Sequence, residues 1–376
     1  MINILPYINR RRLVEEFCEL VAIDSISFHE RRMADTLKEK LNTLGIEAVE
    51  DNAAEVYHSE AGNLYGCLQG TLQGPPLLFS AHMDTVEPGE GKRAILQEDG
   101  RITSAGDTVL GSDDLAGVAA IFEALRVLRE RQIPHRSVEI LFPIAEEAYT
   151  RGSSVFDYGR LQAKEAYVLD LSGPVGGASL QEPTLISFVV HVRGKASHAG
   201  FAPEEGIHAI AVASKAIAGL RQGKIGDDTT VNIGKIEGGK ATNIVPDLVT
   251  VEGEIRSYDH EKAKDQFRQI RTAFEEAAEE AGAETQIQYD IYLTAYKVDA
   301  SEPVVRRFER VCTGLDISCQ LTKTFGGSDN NSFLRNGIRG IVLACGMNQV
   351  HTCLEYTMEE ELAKCAAIVA GLLTEE

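Results

Sequence analysis

No apolar run in this chain reaches the roughly 18 residues that a membrane-crossing helix needs, so no span is expected. Internal repeats and low-complexity tracts are absent, and no linker is Pro/Ser-rich enough for a floppy tether. Basic charge is short: 37 Lys and Arg stand against 57 Asp and Glu, a net charge of -20. So acidic a surface repels nucleic acid and anionic membranes, which removes both as main partners and leaves solubility as the charge's plainest role. Cysteine gives no framework either. The seven, at 18, 67, 312, 319, 345, 353 and 365, are odd in number and match no zinc-knuckle spacing. Cys18, Cys345 and Cys365 fall in apolar runs, where cysteine packs as a small hydrophobe. Reduced thiols point to the cytosol. Arg10-Arg11-Arg12 is not followed by the apolar stretch of a signal peptide. A soluble cytoplasmic protein is expected.

What is present is the make-up of a globular enzyme, 44% hydrophobic and 25% charged over 376 residues, long enough for about two domains. Leu13, Val14, Phe17, Leu20 and Val21 repeat at helical spacing and predict a helix over 8–23; a second follows over 33–44. Strand signals recur near 45–50, 63–69 and 76–82. A strong helix is predicted over 114–131, stopped by Pro134, and then strands over 137–143 and 165–170. This alternation predicts an α/β domain with a mixed, mostly parallel sheet. The pattern changes after Gln181-Glu182-Pro183. Strand 184–193, helix 206–221, strands 229–236 and 248–257, helix 261–281 and strand 285–294 spell β-α-β-β-α-β, the ferredoxin-like order. The α/β pattern resumes from 302, with helix 302–313, strand 340–345 and helix 358–373. The catalytic domain is therefore expected in two parts, 1–183 and 297–376, around an inserted ferredoxin-like α+β domain over 184–296.

Chemistry gathers where apolar runs end. Pro75 to Ser80 leads to His82 and Asp84, Ser137 to Pro143 leads to Glu146-Glu147, and Glu165 to Leu169 leads to Asp170. Strands that repeatedly end in His or carboxylate suggest an active site at the carboxyl edge of a sheet. Each segment alone has a plainer reading. A strand-end His82 can be structural, Asp113-Asp114 can cap a helix, and Glu146-Glu147 can be a solvated loop. Two adjacent glutamates repel unless a cation or a proton separates them. Together, His82, Asp113, Glu147, Asp170 and His351 offer five donors for two ions, with Glu146 left over as a base. Oxygen and imidazole donors without thiolate suit hydrolytic zinc, with cobalt or manganese as alternatives.

The segments Ser80-Ala81-His82-Met83-Asp84-Thr85-Val86, Gly111-Ser112-Asp113-Asp114-Leu115-Ala116-Gly117, Glu146-Glu147, Leu169-Asp170, Gly326-Gly327-Ser328-Asp329 and Val350-His351-Thr352 resemble, in this order, the dinuclear zinc metallopeptidases. That family includes peptidase T, bacterial glutamate carboxypeptidase, aminoacylase and succinyl-diaminopimelate desuccinylase. The resemblance runs over essentially the whole chain, and peptidase T-like members look closest. It implies a zinc-exopeptidase catalytic domain and an inserted domain that dimerises and acts as a lid. His82 and Asp170 would hold one metal, Glu147 and His351 the other, and Asp113 would bridge them next to a non-proline cis peptide to Asp114. Asp84 would orient His82, and Glu146 would move a proton from a metal-bridging water to the leaving amine.

Further roles follow from the same resemblance. His198 in Lys195-Ala196-Ser197-His198-Ala199-Gly200 would reach a neighbouring subunit's oxyanion, which implies a homodimer through 184–296; a plain loop histidine is the other reading. Asn243 would be its polar companion, or simply a turn residue. Arg256 would grip a substrate carboxylate, or else pair with Glu254 or Asp259. Gly327 and Ser328 would line the carboxylate end of the substrate pocket while capping a helix. Leu115, where many relatives carry Lys, and Leu171-Ser172-Gly173 depart from the pattern in ways that bear on substrate preference. The activity implied is a metal-dependent exopeptidase acting on short peptides, foremost a tripeptide aminopeptidase. A carboxypeptidase, an N-acyl amino acid amidohydrolase (a deacylase) and a non-catalytic metal-binding scaffold are the alternatives. Glu146 speaks against the scaffold, since a spare base has no structural use.

Overall fold

A computed structural model describes residues 3–375. Met1, Ile2 and Glu376, the outermost residues of the two expected catalytic segments, lie outside them. The chain divides into two compact units. The larger comprises Met1–Leu180, Lys297–Lys323 and Ser328–Glu376; the smaller comprises Gln181–Tyr296 and Thr324–Gly327.

The larger unit is built on a mixed eight-stranded sheet. Its strands stand in the order Val49–Glu50, Leu64–Leu68, Val138–Phe142, Leu77–Ser80, Glu165–Leu171, Arg339–Ala344, Gly177–Ser179 and Gln320–Thr322. The four central ones run parallel, with Ser80 opposite both Leu141 and Val168, and Val342 also opposite Val168. Leu77–Ser80 and Val138–Phe142 are buried at every residue. Strands covered on both faces read as continuous apolar runs, and this is why they stood out in the sequence. Helix Ser112–Glu130 is buried on nearly every side and lies between the sheet and the helices Arg10–Val21 and Glu359–Thr374. Burying side chains such as Phe122, Phe142 and Tyr167 contributes roughly 1.5–3 kcal/mol each.

Because the central strands are parallel and in register, the segments that follow them leave from one edge. That edge receives His82 after Ser80, Glu146 and Glu147 after Phe142, and Asp170 near the end of its strand; His351 follows Ala344. Asp113 and Asp114 break the first turn of the central helix with non-helical backbone angles, and the peptide bond between them is cis.

The smaller unit is a five-stranded antiparallel sheet in the order Gly223–Lys224, Thr229–Gly238, Leu248–Ser257, Thr184–Arg193, Glu284–Leu293. Its four long strands stand as second, third, first and fourth in chain order, the ferredoxin-like arrangement. Helices Ala209–Gly219 and His260–Ala281 pack on one face, where Phe188, Val190, Ile255, Phe267 and Phe274 form the core. Asp259 caps the longer helix by accepting the N–H groups of Glu261 and Lys262.

Candidate metal centre

His82 is buried at the end of Leu77–Ser80. Its Nδ1 lies 2.9 Å from the main-chain carbonyl oxygen of Asp84. A carbonyl can only accept, so Nδ1 carries the proton, and Nε2 faces the acids. Nε2 stands 3.2 Å from Asp113 Oδ1 and 4.0 Å from both Glu146 Oε2 and Asp170 Oδ1. On the other side of Asp113, His351 Nε2 lies 3.2 Å from Asp113 Oδ2 and 3.0 Å from Glu147 Oε1. Asp113 thus offers one oxygen to each histidine. Two sets of donor atoms, from His82, Asp113 and Glu147 and from His82, Glu146 and Asp170, each fall within 4.8 Å of one another.

The electrostatics are those of a cation site. Burial pushes the Glu146 carboxyl well above the usual range; His82 opposes the shift, while Asp329 and Glu147 add to it. Burial and then the charges of Glu146 and Asp113 do the same to Asp170. Burial and Asp113 raise Glu147, against the pull of His351. Burial would lower His82, yet its bonds to Asp113 and Asp84 raise it well above the ordinary value. Bonds to Asp113 and Glu147 raise His351 to about 10. Left to themselves, these acids hold protons that a divalent cation would replace. Buried Glu147 Oε1 has the His351 ring 3.0 Å away, and two such donors side by side also fit a shared cation.

Asp84 lies where the expectation put it, with its carboxylate Oδ1 3.4 Å from His82 Nδ1. The main-chain carbonyl is what lies closest to the His82 ring, whereas the carboxylate accepts Glu146 N–H at 2.9 Å, Glu147 N–H at 3.1 Å and the Ser27 hydroxyl at 2.7 Å. It fixes the glutamate turn, because backbone donors there would otherwise be buried without acceptors. Two further carboxylates escaped the sequence reading. Glu30 accepts Ala145 N–H at 3.0 Å and Phe28 N–H at 2.9 Å. Glu355 accepts the N–H groups of Gly111 and Asp113 and the Ser112 hydroxyl. Glu355 stands four residues after His351, its one local signal, whereas Glu30 lies in no segment singled out.

The remaining candidates lie mostly in the smaller unit. His198 and Asn243 are neighbours: His198 pairs with Ile244 in an isolated bridge, and Ala199 N–H donates to the Asn243 carbonyl at 3.0 Å. The exposed His198 ring stacks on Phe201 at 4.2 Å between centroids. Arg256 is engaged by Glu254 in a two-pronged pair at 2.8 and 3.1 Å and donates to the Phe325 carbonyl at 2.8 Å. Of the two ion pairs left open for it, the one with Glu254 is present, and Asp259 caps a helix. Gly327 leaves no room for a side chain, because a Cβ would fall 2.1 Å from Leu293 Cδ1. Ser328 is buried and its hydroxyl oxygen accepts Asn330 N–H at 3.2 Å, but the N-cap of the short helix Asn330–Arg335 is Asp329, which has no side-chain cap bond.

Comparison with known proteins follows this geometry. A model described as peptidase family M28 matches residues 63–199, and the M20 peptidase dimerisation domain matches residues 181–282. An uncharacterised protein of Bacillus subtilis (strain 168), YqjE, is 39% identical over 98% of this chain and 99% of its own length. The crystal structure of aminopeptidase PepT from Bacillus cereus ATCC 10987 superposes with a TM-score of 0.89 at 39% identity, covering 98% of this chain and 99% of that one. A tripeptidase from Staphylococcus aureus superposes with a TM-score of 0.94 at 36% identity, covering 98% of each chain.

Proposed function

The chain belongs to the M20 family of peptidases, hydrolases of peptide bonds, and on that premise we propose that it is a two-metal aminopeptidase of short peptides, tripeptides foremost. The observation that carries the reading is the convergence of two imidazoles and four carboxylates, over gaps of 3.0 to 4.0 Å, at one sheet edge. His82 and Asp170 would hold one ion, Glu147 and His351 the other, and Asp113 would serve both. Bound divalent cations, zinc foremost, supply Lewis acidity, which acidifies a water and polarises a scissile carbonyl.

The chain's own groups supply the rest. Glu146 is left over as the general base: it takes the proton of the attacking water and passes it to the leaving amine. Burial raises the proton affinity of its carboxyl, the direction needed by a base that takes a proton from water. Asp84 holds Glu146 in place through its backbone N–H. His198 accepts the N–H groups of Gly200 at 3.1 Å and Phe201 at 3.2 Å on Nδ1. Its neutral form therefore carries the hydrogen on Nε2, a donor suited to an oxyanion. We assign it that role across a homodimer formed through 184–296, with Asn243 beside it; light scattering should give twice the chain mass. To grip a substrate carboxylate, Arg256 would have to exchange its Glu254 partner.

The test is a panel of di- and tripeptides, their amino-blocked forms and N-acyl amino acids, assayed with zinc or cobalt added. Release of the first residue from unblocked tripeptides is expected. Turnover of N-acyl amino acids alone would overturn the reading.

A further inference from the structure

Glu355 is a buried carboxylate to which the reaction above gives no task. It stands four residues after His351, yet its bonds reach back to the turn carrying Asp113. Oε2 accepts Gly111 N–H at 2.7 Å, while Oε1 accepts the Ser112 hydroxyl at 2.7 Å and Asp113 N–H at 3.0 Å. The turn has no side-chain cap of its own. Gly111 lies at φ 78°, and a Cβ there would come within 3.0 Å of Thr85 Cγ2 and 3.3 Å of Lys92 Cε. Three donors at the start of a buried helix thus take their acceptor from a residue more than 240 positions away.

The other end of this link is equally fixed. Strand Tyr356–Met358 starts directly after Glu355 and pairs antiparallel with Arg101–Ser104. Asn348 and Tyr356 exchange both of their main-chain hydrogen bonds, at 2.9 and 3.0 Å. This closes 348–356 into a loop that presents His351 at φ 62°. Glu355 is the base of that loop, and its carboxylate fastens the loop to the Asp113 turn.

We propose that Glu355 is a positioning residue that sets the spacing between His351 and Asp113, and through it the affinity and geometry of the two cations. The inference rests on the two-metal reading. It requires a carboxylate, because all three partners donate. Glutamine offers one accepting oxygen and turns an amide N–H toward a donor.

The test titrates the metal-stripped full chain, Glu355→Gln and Glu139→Gln with cobalt against a chromophoric chelator, while following the visible cobalt absorption and the unfolding temperature. Glu139 is a matched control. It is equally buried and accepts Gln162 and Ala163 N–H groups, but it sits opposite Leu78, toward the amino end of the central strands. Glu355→Gln is expected to raise the apparent Kd for cobalt by about 10- to 100-fold, as loss of a group that orients metal ligands does, and to alter the cobalt spectrum. At limiting metal, kcat for a tripeptide should fall while KM holds, with recovery in excess metal. Glu139→Gln should lower the unfolding temperature and leave the Kd and spectrum alone. If Glu355→Gln does not fold, Ser112→Ala removes one of the three bonds and should give a smaller rise of the same sign. Wild-type affinity and spectrum in the Glu355 variant, or equal weakening in the Glu139 control, overturn the inference. A wild-type chain that binds fewer than two ions overturns the two-metal reading itself.

Discussion

Glu146 and Glu147 are adjacent in sequence but divide the labour in space. Glu147 lies 3.0 Å from His351, whereas Glu146 faces His82 and is held through its N–H by Asp84. Replacing Glu146 by Gln keeps the shape and removes the base. Tripeptide turnover should fall by about 10²- to 10⁴-fold, while elemental analysis still finds two ions per chain. Loss of the ions together with activity would move Glu146 into the ligand set. These acids were legible because each closes an apolar run, and a strand end is a place that sequence can mark. Glu30 and Glu355 were not, since their partners are backbone N–H groups up to 115 and 244 residues away, and no local pattern records such pairs.

At the scale of elements, the central helix must lie close to the strand that carries Asp170. Gly117 makes this approach possible: a Cβ there would fall 2.7 Å from Leu169 Cβ, 2.8 Å from the Leu169 carbonyl oxygen and 2.5 Å from Asp114 Oδ1. Alanine is the better helix former by about 1 kcal/mol, yet overpacking costs about 1–3 kcal/mol. Gly117→Ala should therefore lower the unfolding temperature and weaken metal uptake; a gain in stability would refute the close contact. Long periodic elements were readable, and strand Thr184–Arg193 and helix His260–Ala281 fall where the pattern put them. Ala94–Leu96, Arg101–Ser104 and Tyr356–Met358 went unread, because three or four residues show no period and their pairing is with one another across the chain. The strand expected over 45–50 shrinks to Val49–Glu50, since only those residues find partners, at Tyr65 and Leu64.

For the whole molecule, the buried acids make stability depend on the cations. Burial, reinforced by Asp84, raises Glu30 to about 7, and burial raises Asp329 to about 7. A carboxyl raised on folding stabilises fully below its unfolded value near 4, and that contribution is lost as pH climbs through the folded value. Metal-stripped protein should thus lose unfolding temperature between about pH 4 and about pH 7, and the gap to metal-loaded protein should widen over the same range. Parallel melting curves would argue against a charge-compensated site. The most direct measurement is anomalous diffraction from crystals of the zinc-loaded chain. The account predicts two peaks per chain, roughly 3.5 Å apart, with Asp113 between them, His82 and Asp170 on one and Glu147 and His351 on the other. A single peak, or peaks away from these five side chains, would contradict it.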